Sequence, residues 1–73
     1  MTFTPRNKVQ KLAYEKWGVE DAEAFAAKVA KRIKRGTART MWLAGSPNHL
    51  PDQLKAAADL LGTTIDDLFY KAQ

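Results

Sequence analysis

Apolar residues recur at Val9, Leu12, Ala13 and Trp17, a spacing that gathers them on one face of a helix. Thr4 followed by Pro5 predicts where this helix begins, with threonine as N-cap and proline at the first helical position, where its missing N–H is not needed. Gly18 predicts its end, and Trp17 reads as core rather than as a platform for a ligand. A second face follows at Ala22, Phe25, Ala26, Val29, Ala30 and Ile33, with Glu20, Asp21 and Glu23 suited to a first turn where the helix dipole favours negative charge. The run KRIKRG, residues 31–36, can either finish that helix or turn into the next. Gly36 marks the break as a C-cap or turn glycine and is expected outside regular helix, so that Thr37 caps a short third helix running through Leu43 to a stop at Gly45. Met41 and Trp42 are adjacent and point about 100° apart on a helix, which sets the pair astride the boundary between core and surface.

SPNHLP, residues 46–51, carries two prolines and an asparagine and is a loop. Pro51 or its neighbour begins a fourth helix, which Leu50 and Leu54 can clasp as a hydrophobic staple. Its apolar stripe is Leu54, Ala57, Ala58 and Leu61, ended by Gly62. Thr64 and Asp67 have the spacing of a capping box, and Ile65, Leu68 and Phe69 return a short fifth helix to the core. No segment alternates as a strand does. The expected fold is all-α, one compact bundle of about five short helices over residues 1–73, with Leu12, Phe25, Val29, Leu54, Leu61 and Leu68 in one core.

The 73 residues suffice for one domain, and a 45% apolar content can fill its core. With no cysteine, disulfides, thiolate nucleophiles and cysteine-containing zinc sites are excluded. His49 is the only histidine, which excludes a paired-histidine metal site within one chain. As a general base it would need a nucleophile and an orienting carboxylate, and the sequence shows no sign of either. No enzyme, metal or cofactor is therefore expected. The N-terminus MTFTPRNKVQ lacks an apolar signal region and no run approaches a membrane span, so the expected location is the cytoplasm, with no membrane partner.

Charge is distributed unevenly. The 12 basic and 8 acidic residues give a net charge of +4. Met1 to Glu23 balances at zero, and the chain from Asp52 onward is net negative. Between them, Ala24 to Pro51 holds Lys28, Lys31, Arg32, Lys34, Arg35 and Arg39 and no acidic residue. One stretch thus carries the positive field expected where a polyanion docks. It coincides with two helices joined by a short turn, the minimal device for reading a DNA major groove.

On these residues the chain resembles the phage repressor and Cro-like helix-turn-helix domains, the Xre family. LKAAADLLGTTIDDLF, from Leu54 to Phe69, is similar to that family's fourth and fifth helices, an alanine-rich helix ending at glycine before a capped helix ending Leu-Phe. IKRGTARTMWLAG is similar to its turn, recognition helix and closing glycine. Phe25-Ala26 can occupy the family's Leu-Ala place. Lys28 to Arg35 has no glycine, however, and Gly45 lies about three residues late, so either helix two is a turn longer or the turn is enlarged. The polar residue that anchors the phosphate backbone at the start of helix two falls within the acidic stretch Val19 to Glu23. That clamp is therefore absent or works through a backbone N–H.

The resemblance implies a sequence-specific, duplex-DNA-binding transcriptional regulator, a repressor or Cro-like switch protein in a bacterial or phage-infected host cell, acting by occupying an operator. Its recognition helix would bring Arg35, Thr37, Arg39 and Thr40 to the DNA, and Arg39 can pair bidentately with guanine. Thr37 fits a cap better than a base contact. Lys31, Arg32 and Lys34 would neutralise phosphates, with Lys28 further back. Ser46, Asn48 and His49 lie in the loop that touches the backbone in related domains. Palindromic operators favour dimers, while no long C-terminal helix offers an evident interface, which leaves a homodimer open. The alternative is an interaction protein that binds another regulator through helix three or the Trp42 surface; binding to RNA or to DNA without sequence preference is a third class.

Overall fold

In the computed structural model, which describes residues 3–70, the first helix starts at Asn7 and not at Thr4. Asn7 Oδ1 accepts a hydrogen bond from Gln10 N at 2.9 Å, and Gln10 Oε1 accepts one from Arg6 N at 3.0 Å. The Asn7 side chain thus satisfies the orphan N–H of Gln10 while the Gln10 amide reaches back to the backbone ahead of the cap, which sets the start at Asn7. The helix, α1 (Lys8–Trp17), closes at Gly18 in the left-handed conformation, φ 70°, whose N–H donates to Tyr14 O. Val9 and Ala13 are buried, and Leu12 and Trp17 pack half-buried on the same core.

Asp21 caps the second helix, α2 (Ala22–Val29), accepting from Ala24 N at 2.8 Å. Phe25, Ala26 and Val29 are buried. Ala30, expected on that face, is exposed, because it sits at the edge of the stripe about 100° beyond Val29. The chain then turns. Arg32 and Ile33 both donate their N–H to Val29 O, and the Ile33 side chain, 2% exposed, pins the turn into the core.

The third helix, α3 (Arg35–Ala44), begins earlier than expected. Lys34 is its N-cap with extended backbone (φ −61°, ψ 147°) and no side-chain cap bond, which places Gly36 inside the helix and Thr37 in its first turn. The reversal needs no glycine, since any residue adopts the Lys34 conformation and Ile33 supplies the anchor. Both the break at Gly36 and the cap at Thr37 are thus corrected, while the stop at Gly45, φ 60°, stands. Met41 and Trp42 are also both buried rather than astride the surface. Ala38 and Met41 are fully enclosed, and the Trp42 ring lies between Phe25 (5.5 Å) and Phe3 (5.7 Å), so α3 is covered over a wider arc than one stripe.

One polar contact fixes the end of α3. Trp42 O, an orphan carbonyl of the last turn, accepts from Gln10 Nε2 at 2.7 Å and from Asn7 Nδ2 at 3.1 Å. The same two amides therefore cap the start of α1 and hold the end of α3. Gln10→Ala leaves Trp42 O with Asn7 alone, and urea denaturation should show a loss of about 1 to 3 kcal/mol. An unchanged midpoint would mean that the amide contributes nothing at this joint.

Pro51 opens the fourth helix, α4 (Pro51–Leu60), at its first position. Leu50 makes no staple: it is the N-cap itself, one position past the residue a staple uses, and is 67% exposed. Leu54, Ala57, Ala58 and Leu61 are buried, as is Ala56. Gly62 takes φ 70°, and Thr64 Oγ1 accepts from Asp67 N at 3.1 Å. The fifth element is a π-helical turn, Asp66–Tyr70, which packs on α1 and buries Leu68 and Phe69. The described residues thus form an all-α globule of five helical elements without a strand, and no helix among them is long and apolar enough to cross a membrane. Of the expected core, Phe25, Val29, Leu54, Leu61 and Leu68 share one buried cluster that Leu12 borders.

Candidate nucleic-acid interface

Helix α3 lies directly on α2 and buries Ala38, Met41 and Trp42, so its other side is turned out. That outer side carries Arg35, Gly36, Arg39, Thr40 and Leu43, spaced by one helical turn. Thr40 Oγ1 donates to Gly36 O at 3.0 Å, which leaves its lone pairs and methyl group for a partner. Thr37 is half-buried beside them.

The arginines of this face have a carboxylate between them. Glu23, in the first turn of α2, places Oε2 3.0 Å from Arg39 Nε and Oε1 4.0 Å from Arg35 Nε. All three side chains are more than half exposed. Sequence spacing gave Glu23 only a place in a helix dipole, because no local signal tells which residue of a following helix will face it. Arg32 points elsewhere: its guanidinium lies 3.8 Å from Asp59 of α4, which also receives Lys55 Nζ at 3.6 Å.

Lys28, Lys31 and Lys34 are exposed, and none of them has an ion-pair partner among the described residues. Lys31 and Lys34 belong to the turn that leads into α3, next to Arg35. Ser46, Asn48 and His49 lie past the opposite end of α3, about 15 Å away along a ten-residue helix. There Ser46 Oγ accepts from Asn48 N, Asn48 is exposed, and His49 is half-buried with Nε2 enclosed and without a hydrogen-bond partner. The expected site residues thus divide into a cationic end at the start of α3 and a polar loop after its end.

A second basic feature was masked in the sequence by the zero net charge of its segment. Arg6, Lys8 and Lys11 line an open groove of about 730 Å³ beside α1, with Phe3, Tyr14 and Glu15, and none of the three cations has an ion-pair partner among the described residues. Asn7, in the same groove, reaches Trp42 O, which puts the groove near the end of α3. No group of three or more His, Asp or Glu among the described residues could hold a metal ion. Leu43 and Leu50 are each 67% exposed on either side of the α3–α4 loop.

Compared with known proteins, the chain matches no family model, no curated protein and no solved structure.

Proposed function

We propose that this protein is a sequence-specific duplex-DNA-binding transcriptional regulator, with α2 and α3 as a helix-turn-helix of the repressor and Cro-like kind. The observation that carries this reading is the outer face of α3, where Arg35, Arg39 and Thr40 are exposed beside the unpaired Lys31 and Lys34. A helix with its side chains is about 10 to 12 Å across and fits a major groove about 12 Å wide. Arg39 reads a base edge there, and Lys28, Lys31 and Lys34 meet phosphates, which position the protein without reading sequence. The protein represses by occupying its operator.

Selection from a random duplex pool identifies the preferred site, and mutants then separate the roles. Arg39→Ala should lose about 1 to 3 kcal/mol on the selected duplex and less on a scrambled one. Lys31→Ala and Lys34→Ala should weaken both duplexes alike, each lowering the logarithmic salt slope by about one unit. Equal losses for Arg39→Ala on both duplexes would reduce that arginine to a backbone contact. Folded wild type without salt-dependent duplex binding would reject the reading.

One observation favours a second reading, a protein that binds another regulator: Leu43, on the outer face of α3, and Leu50 both expose most of their apolar surface. Solution mass with and without duplex distinguishes the two and counts the copies bound.

A further inference from the structure

We infer that Glu23 is a positioning residue for base recognition, holding Arg39 so that it reads a guanine edge in preference to a phosphate. The inference rests on the DNA-binding reading and concerns a residue that reading does not use. Glu23 Oε2 engages Arg39 through Nε, at 3.0 Å. A guanidinium is planar and rigid, so a carboxylate on Nε fixes the plane and leaves the two terminal nitrogens as an end-on fork. Guanine O6 and N7 are the acceptor pair that such a fork fits. The other oxygen of Glu23 faces Arg35 at 4.0 Å, one helical turn before Arg39, a longer and more exposed charge contact that draws the carboxylate toward the same face.

Charge supplies discrimination. Two arginines and one carboxylate carry a net single positive charge, and that carboxylate stands at the face a phosphate would approach. On a duplex offering only phosphates, Arg39 must turn from Glu23 and draw the phosphate toward a like charge, which opposes binding without sequence preference. On a duplex presenting guanine at the right place, Arg39 keeps Glu23 and adds the base. The ion pair is too exposed to matter much to folding, so its removal should register in binding.

The experiment measures wild type, Glu23→Ala, Glu23→Gln, Arg39→Ala and the double variant Glu23→Ala/Arg39→Ala on the selected and the scrambled duplex across several salt concentrations. Circular dichroism checks each fold. Glu23→Ala should tighten binding to the scrambled duplex, lower the preference for the selected one about tenfold, and steepen the logarithmic salt slope by about one unit as a released arginine takes a phosphate. Glu23→Gln keeps an acceptor of the same shape without the charge, so it should tighten scrambled binding while retaining part of the preference. In the Arg39→Ala background, removing Glu23 should no longer change the preference. A residue that only favoured the α2 dipole would alter stability and leave the preference and salt slope unmoved. Unchanged preference and slope in both folded Glu23 variants, with wild type still discriminating, overturns the role of Glu23 alone. Wild type that binds no duplex overturns the DNA-binding reading and this one with it.

Discussion

Phe25→Ala should lower the unfolding free energy by about 3 to 5 kcal/mol, the range for emptying a buried phenylalanine site. The ring is fully enclosed, 5.5 Å from the Trp42 ring and 6.3 Å from that of Trp17, so it joins α1, α2 and α3 at one point. Domains are stable by about 0.05 to 0.15 kcal/mol per residue, or about 4 to 11 kcal/mol for this chain. The substitution therefore removes a large share of the total and should depress the melting temperature by about 12 °C or more. Both tryptophans neighbour the cavity, so fluorescence and circular dichroism should report one coincident transition. Phe25→Leu keeps most of the volume and should fall well short of that loss. A melting temperature within a few degrees of wild type for Phe25→Ala would remove the ring from the centre of the core.

The position of Phe25 was legible in the sequence for the same reason as those of Val29, Leu54, Leu61 and Leu68. Each belongs to a stripe at helical spacing, and a stripe must be covered whatever covers it. Details depending on two elements at once were not legible. The start of α1 moved to Asn7 because Gln10 serves both as a cap partner and as a donor to Trp42 O, a residue 32 positions away. Gly36 looked like the break because glycine often is one, yet Ile33 could anchor the turn and release the glycine into the helix. Met41 and Trp42 are both covered because Phe3 and α1 close the flank that one helix would leave open.

The candidate site divides along the same line. Its cations were visible as a run from Lys28 to Arg39, and a helix period was enough to put Arg39 and Thr40 on α3, whereas Arg35 joined their side only because the helix starts at Lys34 and not at Thr37. Which cations remain unpaired depends on register between helices. Glu23 meets Arg39 and Asp59 meets Arg32 only because the turn ends at Lys34 and brings α3 and α4 where they are. Arg39 is thereby attached to a carboxylate that the run of cations alone did not reveal.

Gly45→Ala should destabilise the chain by about 2 to 5 kcal/mol and loosen the end of the proposed recognition helix. Two effects combine. Gly45 has φ 60°, where an alanine is disfavoured by about 1 to 2 kcal/mol, and its new Cβ would stand 2.8 Å from Asn7 Cγ and 2.9 Å from Asn7 Cβ. Asn7 cannot withdraw freely, because its side chain caps α1 through Gln10 N and donates to Trp42 O. Moving it loosens both contacts, and strain of this kind adds about 1 to 3 kcal/mol. Gly18 provides the control: it ends α1 at φ 70° with nothing within 4 Å of an added Cβ, so Gly18→Ala should show the backbone effect alone. Urea denaturation of the two variants isolates the clash as their difference, and hydrogen exchange locates it. Amides of the last turn of α3 and the first turn of α1 should lose protection together in Gly45→Ala and keep it in Gly18→Ala. Equal losses of stability for the two variants would show that Asn7 moves aside without consequence, and that the joint between α1 and α3 does not hold the end of α3 in place.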